Sequence, residues 1–289
     1  MDLVVVHRSR ARPACEERAF VLHAVGIGSE IAWDGDAWLL WVPAGEQASA
    51  LAHLARYERE NPPRRLPVPP EPLHRGAWTG AAAYAAIVLL VGYFAGRDVL
   101  GFDWLDAGAQ RAGLIRSGEA WRAITALTLH LDVGHLLANL GFGTFFGLLA
   151  GQLLGPGIAW GTVLAAAAAA NLLNAFLQPA SHSSVGASTA VFATLGLLAA
   201  YAWRRRAAEG GRWAYRWAPL VAGVILLGFT GAGGERTDVL AHLTGFAMGA
   251  LAGAAHAAWR CPRGLAAQVV AGLGALLAIV AAWALAMNH

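Results

Sequence analysis

The chain has 289 residues, of which 57% are hydrophobic and only 13% are charged, and its mean hydropathy is +0.49. Soluble domains carry about 25% charged residues, so this composition excludes an ordinary soluble protein and, because so much must be buried, a disordered one. The net charge of +3 is too small to indicate a nucleic-acid partner, and the charges crowd the N-terminal end, with 19 in residues 1–75 and 20 in residues 76–289.

This asymmetry predicts a small soluble domain followed by a membrane-embedded one. The first domain, residues 1–61, is predicted to be a cytosolic α/β domain. Apolar content and helical spacing indicate its elements, which are strands over 2–6 and 38–42 and helices over 16–26 and 47–60. Six prolines between Pro62 and Pro72 then predict a stiff linker over 62–76.

Seven apolar stretches follow, each near the ~20 residues that a helix needs to cross a membrane. They lie at 78–96, 136–154, 158–177, 187–203, 217–233, 239–258 and 264–287, and none contains Asp, Glu or Arg. The third is the weakest, because its mildly apolar alanine run is followed by Asn171 and Asn174. The predicted fold is an all-α polytopic membrane protein with a six-helix core over 77–258 and an additional C-terminal transmembrane helix within 259–289.

Arginines in the short loops set the expected orientation. They occur before the first span, between the fourth and fifth, and between the sixth and seventh, at Arg64, Arg65, Arg75, Arg204, Arg205, Arg206, Arg212, Arg216, Arg260 and Arg263. With seven spans all three groups share one side, which predicts a cytoplasmic N-terminus and an external C-terminus. The two cysteines, Cys15 and Cys261, have no spacing typical of a metal or redox site, and we expect no metal and no cofactor.

Polar residues near the ends of three spans indicate a functional site, because polar groups are costly inside a membrane. The second, fourth and sixth spans run in the same direction. Ser188 begins the fourth after Gly186, His135 and Asn139 begin the second, and His242 lies near the start of the sixth. A serine, two histidines and an asparagine at one depth are typical of a nucleophilic site.

Ser188 is the candidate nucleophile. A serine in the first helical turn lies near unpaired backbone N–H groups and the positive end of the helix dipole, which favour a developing oxyanion. The alternative is that Ser188 only packs or caps the helix. Ser181, Ser183 and Ser184 are nearby alternatives, but they precede the span and have the character of loop or N-cap residues.

His242 is the candidate general base, because an imidazole with a pKa of about 6.5 can accept a hydroxyl proton near neutral pH. Gly245, Gly249 and Gly253 follow on roughly the same helix face. Such a face allows two helices to approach closely, so the sixth span is predicted to pack against the fourth. The alternative is a histidine that only bridges helices.

His135 and Asn139 are four residues apart and share a helix face. Both can donate hydrogen bonds to a negative oxygen; the alternative for Asn139 is a hydrogen bond between helices. His256 is interpreted as structural, and His182 is a less favoured participant.

Three segments together resemble the rhomboid intramembrane serine proteases. They are LTLHLDVGHLLANLGF beginning at Leu127, VGASTAVFATLG at 185–196 and DVLAHLTGFAMGALAG at 238–253, and Glu119–Arg122 resembles the family's Trp-Arg element. The resemblance covers about 97–255 in the family's order. It implies a rhomboid-like six-helix bundle, and the extra span resembles the bacterial six-plus-one layout.

The resemblance implies a role for each matching position. Ser188 and His242 would form a dyad, with an oxyanion hole from His135, Asn139 and the Ser188 backbone N–H. The supporting residues implied are Gly186, the aromatic Phe192 beside the histidine, Gly245 and Gly249. Thr189 departs from the glycine that often follows the serine, and a branched residue there could tighten the substrate pocket.

The resemblance also implies a membrane-dipping first external loop over about 98–130 and a gate at the fifth span. The implied function is an endopeptidase that cleaves transmembrane segments of other proteins within a lipid bilayer, in a bacterial inner membrane. Two alternatives stay open: a rhomboid-like protein that binds membrane clients without cutting them, and a small transporter. The presence of both Ser188 and His242 counts against the non-proteolytic protein. The lack of an inverted repeat and of acidic residues within the predicted spans counts against the transporter.

Overall fold

A computed structural model of the chain describes residues 2–61, 73–209, 212–231, 238–259 and 264–289. Most of the predicted linker lies outside the described residues, as do the last two residues of the predicted fifth span. The predicted loop residues Arg260, Cys261 and Arg263 lie outside them too. The chain divides into two compact units, Met1–Pro67 and Val68–His289.

The first unit is a small α/β fold. Its elements in chain order are β1 (Leu3–Ser9), α1 (Arg12–Ala24), β2 (Glu30–Trp33), β3 (Trp38–Pro43) and α2 (Gln47–Glu60). The three strands form an antiparallel sheet in the order β1-β3-β2. Leu22 of α1 and Leu54 of α2 pack with Leu40 and Val42 of β3 in a buried core, so the amphipathic patterns of these segments are explained by this packing.

The second unit is mostly helical. Its elements in chain order are α3 (Ala77–Ala95), α4 (Trp104–Gly108), β4 (Gln110–Arg111), α5 (Ala112–Arg116), α6 (Arg122–Thr125), α7 (Val133–Leu154), α8 (Pro156–Leu177), β5 (Ser183–Ser184), α9 (Ser188–Glu209), α10 (Trp213–Gly231), α11 (Val239–Ala258) and α12 (Leu265–Met287). The fold is therefore the polytopic helical architecture predicted from the sequence, preceded by a small region of sheet.

Six of these helices, α3, α7, α8, α10, α11 and α12, are long and apolar enough to cross a membrane. The predicted fourth span corresponds to α9, which is equally long but continues beyond residue 203 through Arg204, Arg205 and Arg206 to Glu209. These charges lower the mean hydropathy of α9 and explain why it is not among the six. Its apolar part still carries the buried residues of the bundle centre.

Helices α9 and α11 pack closely against each other, and glycines make the contact possible. A Cβ atom placed on Gly249 would lie 1.8 Å from the Ala193 carbonyl oxygen, and one on Gly253 would lie 2.1 Å from that of Leu197. The backbone of α11 thus rests directly on that of α9, as the glycine spacing predicts. This packing brings the beginnings of the two helices side by side.

Asn171 and Asn174, the residues that weaken the third span in the sequence, are buried in α8 and hydrogen bonded. Asn171 Nδ2 donates to the Ala123 carbonyl at 3.0 Å, and Asn174 Nδ2 donates to Asp238 Oδ2 at 2.8 Å. These bonds offset the cost of placing amides in an apolar helix.

Candidate active site

A cavity of about 900 Å³ lies at the ends of α7, α8, α9 and α11. Ser188, His242, His135 and Asn139 all line it. So do Gly186, Thr189 and Phe192, together with His182 and Asp238, which the sequence did not favour. The structure therefore brings the four candidate polar residues around one space.

Ser188 is the first residue of α9, and the turn before it is built on Gly186. Gly186 has a φ of +137°, a conformation that side chains of L-residues rarely adopt. A Cβ atom placed there would lie 2.7 Å from His135 Nε2 and 3.6 Å from Ser188 Oγ. The absence of a side chain at Gly186 thus lets the His135 ring approach the turn that carries Ser188.

His242 lies in the first turn of α11, and it is 7% exposed. The ring of Phe192, one turn after Ser188, lies 4.3 Å from its ring between centroids, with the planes inclined by 38°. At Gly245, one turn further along α11, a Cβ would lie 2.6 Å from the Thr189 carbonyl oxygen. The imidazole is therefore confined between an aromatic ring and the close packing of α9 with α11.

Asn139 is buried, and its side-chain Nδ2 donates to the His135 carbonyl oxygen at 3.1 Å. Its own carbonyl oxygen accepts a bond from Tyr84 Oη at 2.8 Å. Because an amide nitrogen carries two hydrogens, the second N–H of Asn139 can still donate to a group in the cavity. The helix that carries His135 begins at Asp132, whose carboxylate accepts a bond from the His135 N–H at 2.8 Å.

His130 lies just before α7, with its ring 5.1 Å from that of His135. Burial, and secondarily the neighbouring His135, lower the pKa of His130 to about 4. The ring is therefore neutral at physiological pH, and its Nε2 accepts a long bond of 3.5 Å from the Ala187 N–H. His130 supports the turn before the serine, a role that the sequence does not indicate.

Asp238 lines the cavity, and sequence reasoning missed it as well. Its Oδ1 accepts from the Ala241 N–H at 3.0 Å and so caps α11, while its Oδ2 lies 2.8 Å from His182 Nε2. Burial alone raises the pKa of Asp238, but hydrogen bonds from Ala241, His182 and Asn174 hold it below its ordinary value. The carboxylate is thus ionised at neutral pH. An aspartate directly before an apolar helical run is a cap signal that could have found it.

The predicted external loop, about 98–130, is held in shape by contacts within it and is bridged to the segment before Ser188. Arg122, only 6% exposed, donates from Nε to Glu119 Oε2 at 2.6 Å and from a terminal nitrogen to the carbonyl oxygens of Asp106 and Ala109. β4 pairs with β5 in an antiparallel bridge. The Trp-Arg element therefore stabilises the loop through the hydrogen bonds of Arg122. The loop contacts the segment that precedes Ser188 through the pairing of β4 with β5.

Comparison with known proteins gives an independent line of evidence. A family model described as "Rhomboid domain" matches residues 117–259, which include all the candidate site residues. "Rhomboid-like protease 2" of Toxoplasma gondii is 33% identical over 149 residues, covering 50% of this chain and 51% of that protein. "Rhomboid-like protease 3" of the same organism is 33% identical over 147 residues, covering 49% and 54%. The match thus spans about half the length of each relative.

Proposed function

Because this chain belongs to the rhomboid family and is a multi-pass membrane protein, we propose that it is an intramembrane serine endopeptidase with Ser188 as nucleophile and His242 as base. One observation carries the proposal. The His135 ring and Ser188 Oγ both lie close to the turn at Gly186, and both line a cavity that His242 and Asn139 also line. A peptide carbonyl that enters this cavity between Ser188 and His135 meets a hydroxyl on one side and a hydrogen-bond donor on the other.

In the first half-reaction the Ser188 hydroxyl attacks the peptide carbonyl carbon and His242 accepts its proton. The carbonyl oxygen becomes an oxyanion, which His135, the free N–H of Asn139 and the backbone N–H of Ser188 stabilise. The tetrahedral intermediate then expels the amine, which takes the proton from His242. The product is an acyl-enzyme on Ser188.

In the second half-reaction a water molecule gives a proton to His242 and attacks the acyl carbonyl. The same donors stabilise the second oxyanion, and Ser188 leaves with the proton. Phe192 keeps the imidazole in one orientation through both steps, and the resemblance implies that Ser188 and His242 act as a two-residue dyad. The Asp238 carboxylate caps α11 and is bonded to Asn174 and His182.

The substrates proposed are transmembrane segments of other proteins, which reach the cavity from the bilayer. α10 is the least buried of the six candidate spans, with 11% of its apolar window inside the protein, and Pro219 interrupts its hydrogen bonding. Low burial makes a helix easy to displace. This supports the family's gate at the fifth span. The arginines of the short loops support the further proposal of an inner-membrane protein with a cytoplasmic N-terminus.

The test is cleavage of a model transmembrane substrate by the purified full chain in liposomes. Ser188→Ala and His242→Ala should abolish cleavage and labelling by a fluorophosphonate probe. Ser181→Ala, at an exposed serine of the preceding loop, and His256→Gln, at a histidine bonded to Thr162 further along α11, are matched controls that should retain both. Cleavage that survives in both dyad variants, or is absent from the wild type while clients still bind, would overturn the proposal in favour of a non-proteolytic rhomboid-like protein.

A further inference from the structure

The indole of Trp283 joins α12 to the part of the chain that precedes α7. Its Nε1 donates to Thr128 Oγ1 at 3.1 Å, and its ring centroid lies 4.7 Å from that of Trp104. Gly108 leaves room for the indole, since a Cβ there would lie 2.5 Å from the Trp283 ring. Trp283 is 7% exposed, so its side chain is held in one orientation by packing and by one directed hydrogen bond.

Thr128 lies in the middle of a short segment, Ala126–His130, that we name the 126–130 segment. The Gly186 N–H donates to the first carbonyl oxygen of this segment at 2.9 Å. Thr128 Oγ1 in turn donates to the Thr125 carbonyl oxygen at 2.7 Å, which fixes the hydroxyl as an acceptor for the indole. The segment thus contacts α12 on one side and the turn before the candidate nucleophile on the other.

The last residue of the segment makes a second contact with the same turn. His130 Nε2 accepts the bond from the Ala187 N–H at 3.5 Å, and its ring touches that of His135, one of the proposed oxyanion donors. The two residues before Ser188 are therefore hydrogen bonded through their backbone N–H groups to both ends of the 126–130 segment. A shift of the segment moves the Ser188 N–H and hydroxyl with it.

On the basis of the proposed protease function, we propose that Trp283 is a positioning residue, whose hydrogen bond to Thr128 fixes the 126–130 segment and thereby the turn that carries Ser188. This gives α12 a part in proteolysis. Positioning errors well below 1 Å matter here, because oxyanion donors act only when they are aimed at the developing charge.

Attachment of α12 itself does not depend on this bond. At the opposite end of the helix the buried Gln268 donates to the Leu154 carbonyl oxygen at 2.9 Å and accepts from the Ile158 N–H at 3.0 Å. These two bonds hold α12 at the turn between α7 and α8. A variant that lacks only the indole N–H therefore still has α12 in place.

The test compares Trp283→Phe, which keeps an aromatic ring, with Thr128→Val and Thr128→Ser in the full chain in liposomes. Loss of one directed bond should lower kcat about 3- to 10-fold with KM unchanged, and the rate of fluorophosphonate labelling should fall in parallel. Thr128→Ser keeps the hydroxyl and should restore the wild-type rate. In a double-mutant cycle, Trp283→Phe combined with Thr128→Val should be no slower than either alone.

Trp104→Phe is the matched control. Its indole belongs to the same cluster and donates to the Val99 carbonyl oxygen at 3.1 Å, away from the 126–130 segment. A kcat loss in Trp283→Phe that equals the loss in Trp104→Phe, or additive losses at Trp283 and Thr128, would overturn the proposal. An inactive wild type, or activity that survives Ser188→Ala, would instead overturn the protease function. Should Trp283→Phe not fold, the contrast between Thr128→Val and Thr128→Ser decides alone.

Discussion

His182 Nε2 lies 2.8 Å from Asp238 Oδ2, although 56 residues separate the two in the sequence. The same carboxylate caps α11 and accepts a bond from Asn174 of α8. It therefore ties together α8, the segment before Ser188 and the helix that carries His242. The proposed nucleophile and base lie on different helices, and this carboxylate contacts the supports of both.

Replacement of Asp238 by Ala should destabilise the protein by about 2 kcal/mol, because the change removes a helix cap and leaves the buried Asn174 amide without its acceptor. Cleavage should also fall, since the start of α11 loosens. Unfolding monitored in detergent and cleavage in liposomes measure the two effects. Asp103→Ala, which removes the corresponding cap from α4 in the 98–130 loop, is the matched control and should leave cleavage unchanged. Wild-type stability in Asp238→Ala would contradict the prediction.

The stabilising effect of Asp238 should depend on pH in a defined direction. Its pKa is lowered in the folded protein, so the carboxylate contributes stability at pH values above its unfolded pKa, and this contribution is lost as the pH falls through its folded pKa. The difference in unfolding free energy between Asp238 and Asp238→Ala, measured in a His182→Gln background, should be constant from about pH 7 to pH 5 and shrink below about pH 4. A difference that grows towards acid pH would contradict the lowered pKa.

Phe192 should affect the chemical step through the His242 ring. Phe192→Leu keeps an apolar side chain but loses the ring contact of 4.3 Å, so kcat should fall about 3- to 10-fold. Phe146→Leu is the control, because Phe146 belongs to the same buried cluster but its ring contacts are with Phe142 and Phe145. Equal kcat losses in the two variants would mean that the cluster as a whole, and not the Phe192 ring, sets the rate.

Much of the fold follows from patterns along the chain. Runs of about 20 apolar residues predict the helices, since backbone groups in a bilayer must be satisfied within a helix. In the first unit, the two predicted strands and the two predicted helices correspond to β1, β3, α1 and α2. β2 was not predicted, because its four residues, Glu30–Trp33, are stabilised by pairing with β3 and three of them stay exposed. The short elements of the 98–130 loop were likewise not predicted individually.

The grouping of the candidate site residues also follows from the sequence, because three spans that run in the same direction place their polar ends at one depth. The hydrogen-bond partners of the site residues cannot be predicted in this way. The bond between His182 and Asp238 joins distant segments, and the bond between Trp283 and Thr128 spans 155 residues. Such contacts depend on how the helices pack, and side chains that meet only after packing leave no periodic signal.

The contact between α9 and α11 should be intolerant of a single added methyl group. A Cβ at Gly249 would lie 1.8 Å from the Ala193 carbonyl oxygen, so Gly249→Ala should push the helices apart and destabilise the protein by about 1–3 kcal/mol. Fluorophosphonate labelling of Ser188 should fall as well. Gly274→Ala in α12, where a Cβ meets nothing within 4 Å, is the control and should be neutral or slightly stabilising. Unchanged stability of Gly249→Ala would contradict the observed packing.

The close approach of His135 to Gly186 makes the most specific prediction. In Gly186→Ala the new methyl group would lie 2.7 Å from His135 Nε2, so it displaces the ring of a proposed oxyanion donor. Loss of one oxyanion donor lowers kcat by about 100- to 1,000-fold, and we expect cleavage to fall at least that far. Fluorophosphonate labelling should be lost with it, because the phosphonyl oxygen needs the same donor.

Gly118→Ala separates this effect from backbone strain. Gly118 also has a positive φ, +120°, but a Cβ there meets nothing within 4 Å, so its alanine variant carries the strain alone, a cost of about 1–3 kcal/mol in stability. Both variants should therefore lose stability, whereas only Gly186→Ala should lose cleavage. If Gly186→Ala cleaves as well as Gly118→Ala does, the substrate carbonyl does not lie between Ser188 and His135, and the oxyanion must be stabilised elsewhere in the cavity.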